Sequence, residues 1–390
     1  MADLDIPPPD SGGTAERGAP MTTARLIDQL TLPLLRGLLG LDDDAPPYVL
    51  TEAAAAVRST VPQLVLSAAQ RCGEELGSGS RDTLARARQR AAAYEEILRR
   101  VVKAVPGARV VKGASLARHY PDSLLRPVGD MDLMVATEQQ VWEAAAAVLD
   151  SCPVQDTAVV LHGSRRPLPF VTLTWPGTDR WLDKPMKAEI VCTPLTGNAG
   201  AVGVRPLAAP RDSCLPDLLS VCEERFQRRF NAKDIADVLV LADTGLPPAA
   251  RIVDTAAAHQ LAPELHELLS YAAAHCDIGP FAAVVDLLGE RAAAERSRRE
   301  AWRRPRTLQS LDHPVWRALA YGVPVPSIPL RRAARPDARI PVRYEPLGAH
   351  LLHHTPIGDF LLTVEQTVSR DDYDRAVRRS EAQGEAEPTG

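Results

Sequence analysis

No apolar run in this chain is long enough to span a bilayer, because its alanine-rich stretches are broken by Arg, Glu and Pro. No Cys-x-x-Cys pair occurs among the six cysteines, and the N-terminus lacks the basic-then-apolar pattern of a secretory leader. A paired-cysteine motif is thereby removed as a source of chemistry, and a cytoplasmic protein with no membrane partner is expected. Nor is there an excess of positive charge. The formal net charge of −5 argues against a protein-wide field that gathers nucleic acid, and leaves only a local basic groove open. What is present is apolar material, 45% of 390 residues, enough for two or three packed units.

The residues suited to chemistry concentrate between positions 109 and 135. Arg109-Val-Val reads as a short strand that stops at Gly113, and Ser115-Leu-Ala-Arg-His-Tyr opens a helix. Amides at a helix N-terminus attract anions, Gly113 permits close backbone approach to a phosphate, and the Ser115 hydroxyl can donate to one. Arg126 can neutralise phosphate charge. Downstream, Asp130 and Asp132 stand i, i+2 in an apolar strand, so they share one face while Met131, Leu133 and Val135 take the other. Two carboxylates on one face suit a hard cation, and together with the glycine turn they suit a metal-bound nucleoside triphosphate.

The same residues carry a resemblance. Lys112-Gly113-x-x-Leu116, then Tyr120-Pro, then Arg126-Pro-x-x-Asp130-x-Asp132-Leu is similar to uncharacterised bacterial nucleotidyltransferases of the DNA polymerase β-like superfamily, over about residues 84–245. The resemblance implies an α+β fold, a polymerase β-like core sheet with N-terminal and C-terminal helical modules. It implies a third acidic residue at Glu189, within Lys187-Ala-Glu-Ile-Val-Cys192, and a nucleotide held by Lys112, Gly113, Ser115 and Arg126. The implied reaction moves a nucleoside monophosphate from an NTP to an acceptor and releases pyrophosphate, with two Mg2+ (or Mn2+) ions held by Asp130, Asp132 and Glu189. Arg228-Arg-Phe-Asn-Ala-Lys233-Asp-Ile-Ala-Asp237 is similar to a helix of abortive-infection nucleotidyltransferase toxins, which implies Lys233 near the nucleotide. The chain departs from the family in having Gly-Ala-Ser where the family has Gly-Ser.

Alternatives stand beside this reading. The acceptor is not written in these residues, and a small molecule, a protein or an RNA such as tRNA all fit. A non-catalytic binding or scaffold protein on a transferase-like fold is the other class of function. For Lys233, Asp234 and Asp237 the simpler reading is an exposed helix face with an i, i+4 ion pair.

Along the chain, residues 1–23 and 381–390 are expected to be disordered tails, being poor in large apolar groups. Residues 24–105 form an N-terminal helical unit, 106–195 the core, 196–320 a C-terminal helical module, and 321–380 a Pro-rich extension with one terminal strand and a short helix. A long amphipathic helix runs from Ser80 to about Val105, with an Arg-rich face that is either solvated or a nucleic-acid stripe. Thr137-Glu-Gln-Gln140 has the form of a capping box, and residues 159–162, 170–175 and 187–192 read as strands. The arginines of 296–306 around Trp302 are read as a dipole-favoured helix end, or as a phosphate and base contact. His350-x-x-His353-His354 has helical spacing for a metal but no completing ligand, and no histidine is assigned to catalysis.

Overall fold

The structure is a computed structural model that describes residues 25–163, 167–198, 201–207, 214–302 and 313–384. The expected tail at 1–23, residues 385–390 and the arginines at 303, 304 and 306 lie outside the described residues. The fold is mixed α+β. Among the described residues one nine-stranded sheet, in the order β1-β2-β5-β4-β3-β6-β9-β8-β7, is combined with thirteen α-helices. The strands are β1 Arg109–Val110, β2 Met131–Met134, β3 Asp156–His162, β4 Leu168–Trp175, β5 Met186–Val191, β6 Val325–Arg332, β7 Arg343–Leu347, β8 His350–Thr355 and β9 Gly358–Leu362. Only β2 and β5 pair in parallel; every other neighbouring pair is antiparallel.

The two faces of the sheet have opposite chemistry because the side chains alternate. On one face Met131, Leu133, Val159, Leu161, Val171, Leu173 and Ile190 are buried in one cluster with Tyr94 and Trp142. Those two rings come from the helices Ser78–Ala104 and Glu138–Ser151, which run as the amphipathic periodicity and the capping box foretell. Thr137 Oγ1 accepts from the Gln140 N–H as the cap, while the Gln140 side chain accepts at 2.9 Å from the N–H of Ala136, the residue before the cap, so only half of the expected box is made. The other face carries Asp130, Asp132 and Glu189.

Helices from before and after the core strands share a single apolar cluster, with Ile27, Leu35 and Leu64 packed among Leu218, Leu239, Leu265 and Phe281. Two helices, Pro47–Val57 and Val61–Arg71, occupy this part of the chain, with Pro62 in the first turn of the second. A proline lacks only an N–H that this turn would leave unbonded. The Arg-rich face of the long helix is neither bare nor open at Arg86 and Arg90. Arg86 pairs with Asp82 at 2.7 Å and approaches Asp183, while Arg90 donates to the carbonyls of Lys184 and Pro185, so this face anchors the β4–β5 loop. In the basic run near Trp302, Arg298 and Arg299 are engaged by Glu295 and Glu264.

The C-terminal extension is richer in strand than its sequence suggests. One terminal strand is expected there, and the structure has four, β6 to β9, which continue the core sheet through the β3–β6 pairing. Both faces of β8 and β9 are buried, so the alternation that betrays a half-exposed strand is missing from their sequence. Residues 381–384, expected in a disordered tail, finish the helix Arg370–Gly384.

His353 on β8 is fully buried, stacked on Tyr344 at 4.7 Å and edged by Trp142 and Phe360. Burial, reinforced by the neighbouring His354 and only partly opposed by Asp359, lowers its pKa from 6.5 to about 3. The unfolded chain therefore binds a proton that the folded one refuses, and stability falls as the pH drops from about 6.5 toward 3. A tenfold difference in proton affinity corresponds to about 1.4 kcal/mol, so the loss by pH 4 should be a few kcal/mol. Urea unfolding at pH 7 and pH 4 checks this: His353→Phe should remove much of the acid loss, and an unchanged loss would exclude His353 as its source.

Candidate functional site

The polar face of the sheet floors a cleft of about 330 Å3, lined by Asp130, Asp132 and Glu189 together with Lys112, Lys187, Glu224 and Lys233 among others. Strand register brings the acids together. Asp132 stands directly beside Glu189 across the parallel β2–β5 pair, and Glu189 stands beside Thr172 across β5–β4. Asp130, two residues before Asp132, falls on the same face. Farther along the floor are Phe170, Val160 and His162, with the His162 and Phe170 rings 5.8 Å apart. Burial lowers the His162 pKa to about 4, so the ring is neutral near pH 7.

The crowded carboxylates show in their protonation. Burial raises the Asp132 carboxyl to about 7; Lys112 opposes this, while Asp130, Glu189 and Glu224 push the same way as burial. Two ammonium groups bind the acids. Lys112 Nζ is 2.8 Å from Glu224 Oε1 and 3.8 Å from Asp132, and Lys187 Nζ is 2.5 Å from Glu189 Oε1 and 3.1 Å from Asp130. Burial works against both ammoniums, yet the carboxylates outweigh it and hold both pKa values above the ordinary lysine range. Burial also pushes the Glu224 carboxyl up, but Lys112, Lys233 and Arg228 hold it down at about 2.

The turn between β1 and the short helix Gly113–Ala117 is built tightly. Lys112 adopts φ 55°, a region that non-glycine residues rarely occupy, and its N–H donates to Asp217 Oδ1 at 3.0 Å. Gly113 lies against the start of β2, where a Cβ would meet the Asp130 carbonyl oxygen at 3.4 Å, an ordinary contact distance. Ser115, expected at a phosphate, instead donates to Asp217 Oδ2 at 2.8 Å and is not among the residues that line the cleft.

Arg126 reaches the cleft, but its guanidinium is committed. Nε and Nη2 meet the two oxygens of Asp237 at 2.7 and 2.9 Å, and Nη1 donates to the Gly113 carbonyl at 2.8 Å. Tyr120 OH donates to the same carboxylate at 2.7 Å. Burial raises the Asp237 carboxyl, and Arg126 and Lys233 overcome that to leave it below the ordinary range. The helix Ala232–Ala242 is therefore no exposed face. Lys233, Asp234 and Asp237 are all buried, and the i, i+4 pair is present with Lys233 Nζ 3.4 Å from Asp237. Burial and the nearby Arg126 lower the Lys233 pKa.

Sequence reasoning passed over Lys187, Glu224, Asp217 and Tyr94. Lys187 was legible, since it lies i, i+2 from Glu189 on a strand and must share its face. Tyr94 reads as an apolar position, and it is buried, yet its hydroxyl donates to the Gly129 carbonyl and accepts from Lys187 N–H, each at 3.0 Å. Glu224 opens a single turn, Glu224–Phe226, where no periodicity points inward.

The donors suit a hard cation in kind: carboxylate oxygens on one face, one of them pushed toward neutrality by burial and its acidic neighbours. Among the described residues no three acids, histidines or cysteines are drawn together tightly enough to close on an ion as they stand. Comparison with family models, curated proteins and solved structures finds no match for the chain. Among the described residues no helix is long and apolar enough to cross a membrane.

Proposed function

We propose that this chain is a nucleotidyltransferase, moving a nucleoside monophosphate from an NTP to an acceptor hydroxyl with release of pyrophosphate. The observation that carries the reading is the register of Asp132 with Glu189, with Asp130 on the same face, on the floor of a cleft whose other walls supply Lys112 and Lys233. Acids interleaved with ammonium groups match a triphosphate that must be held and a hydroxyl that must lose a proton.

Asp130, Asp132 and Glu189 would hold Mg2+ or Mn2+, which when bound polarises phosphoryl oxygens and lowers the pKa of a bound hydroxyl. Lys112 and Lys233 meet the negative charge of the phosphates. Glu189, paired with Lys187 at 2.5 Å, accepts the acceptor's proton on a carboxylate oxygen. The acceptor oxygen bonds to the α-phosphorus, the α–β phosphoanhydride bond breaks, and pyrophosphate carries away the electron pair. Phe170, Val160 and His162, on the strands beyond Glu189, give the acceptor an apolar, partly aromatic bed. That acceptor is a small molecule, a protein side chain or an RNA end.

Triphosphate and carboxylates repel unless a cation lies between them. Calorimetry with an NTP should show binding with Mg2+ and a loss of about tenfold or more in affinity with EDTA, worth about 1.4 kcal/mol or more. Equal affinity in both conditions would remove the metal-bridged site.

A further inference from the structure

We propose that Lys187 is a built-in cation of the carboxylate face that takes the place of one divalent ion, so that the loaded cleft holds a single divalent cation. The inference rests on the nucleotidyltransferase reading above and changes the expected ion count from two to one.

Lys187 Nζ joins Asp130 at 3.1 Å and Glu189 at 2.5 Å, two carboxylates that repel each other without a positive charge between them. Its position is fixed by more than these ion pairs. The Lys187 N–H donates to the Tyr94 hydroxyl at 3.0 Å, and that hydroxyl donates to the Gly129 carbonyl at 3.0 Å. One buried tyrosine thus fixes the backbone of Lys187 relative to the residue before Asp130.

Residue choice points the same way. Of the 45 basic residues in the chain only five are lysine, and three of those five, Lys112, Lys187 and Lys233, line this cleft. An ammonium is a compact point charge on a flexible stem that fits between two close carboxylates, whereas the planar guanidinium fork needs more room. Lys112 serves two acids in the same manner, Glu224 and Asp132.

The test counts ions rather than turnover. The full chain is saturated with a non-hydrolysable α,β-methylene NTP analogue, and bound Mn2+ per chain is measured by equilibrium dialysis and by the loss of the free-ion electron paramagnetic resonance signal. The expected count is one for the wild-type protein and two for Lys187→Met, whose side chain keeps the volume and lacks the charge; Lys187→Gln should behave likewise. Two ions in the wild-type protein, or one in a folded Lys187→Met or Lys187→Gln protein, would overturn the role of Lys187 and leave the transferase reading standing. Failure of the Mn2+-loaded analogue to bind at all would sink both. The wild-type count decides the matter even if neither variant folds.

Discussion

Asp132→Asn is expected to abolish nucleotidyl transfer, by roughly a thousandfold or more, while the protein stays folded. A loss of that size corresponds to about 4 kcal/mol of transition-state stabilisation, within reach of a single group that holds the charge on which phosphoryl chemistry depends. Survival of the fold follows from the environment of Asp132. Its carboxylate is buried, its pKa is raised by burial first, and Lys112 offsets only part of that while Asp130, Glu189 and Glu224 crowd it, so losing its charge removes a desolvation cost. Asn nearly conserves the volume. Asp130→Asn should act in the same direction on transfer, and Glu189→Gln should lower turnover more than nucleotide binding if Glu189 serves the acceptor as proposed. Circular dichroism and thermal melting check the fold, and a labelled-nucleotide assay checks the transfer.

The second large effect is on stability. Arg126→Ala or Asp237→Ala should each cost about 3–5 kcal/mol, the usual size when one member of a buried ion pair is removed and the other is left uncompensated. The Arg126 and Asp237 side chains are 2% and 0% exposed, and the pair ties the segment before β2 to the helix Ala232–Ala242. In Asp237→Ala, Arg126, Lys233 and the Tyr120 hydroxyl all lose a partner. The double replacement Arg126→Met with Asp237→Leu should lose less than the sum of the singles, since it leaves no charge of the pair behind. Chemical denaturation of the four proteins measures the coupling. Additive losses would show that the pair is not the strut between core and helical module.

Arg126 also shows where sequence reasoning stops. Its type and its place before Asp130 suit a phosphate, but the side chain that claims it lies 111 positions away on another helix. Ser115 is diverted in the same way by Asp217, 102 positions on. Local patterns report which face a residue takes, and those readings hold: alternation places Asp130 with Asp132, and the helix period and Thr137 cap give the helices behind the sheet. Alternation also sets Lys187 beside Glu189. The strands β6 to β9 were hidden by the opposite circumstance, since double burial in β8 and β9 removes the alternation and the prolines of β6 read as loop. Glu224 closes the cleft from a single turn, and only the tertiary fold could place it there.

The central claim, that this cleft transfers the α-phosphoryl group of an NTP, is tested most directly by where label goes. The purified chain is incubated with Mg2+, cell extract and each NTP labelled at the α- or the γ-phosphate, and the protein, RNA and small-molecule fractions are resolved. The expected result is α-label in one fraction with equimolar pyrophosphate, no γ-label transferred, and neither signal with Asp132→Asn. Transfer of γ-label, or α-label that moves equally well with Asp132→Asn, would contradict the claim. No transfer from any NTP by a folded wild-type protein would favour a non-catalytic binding protein on this fold.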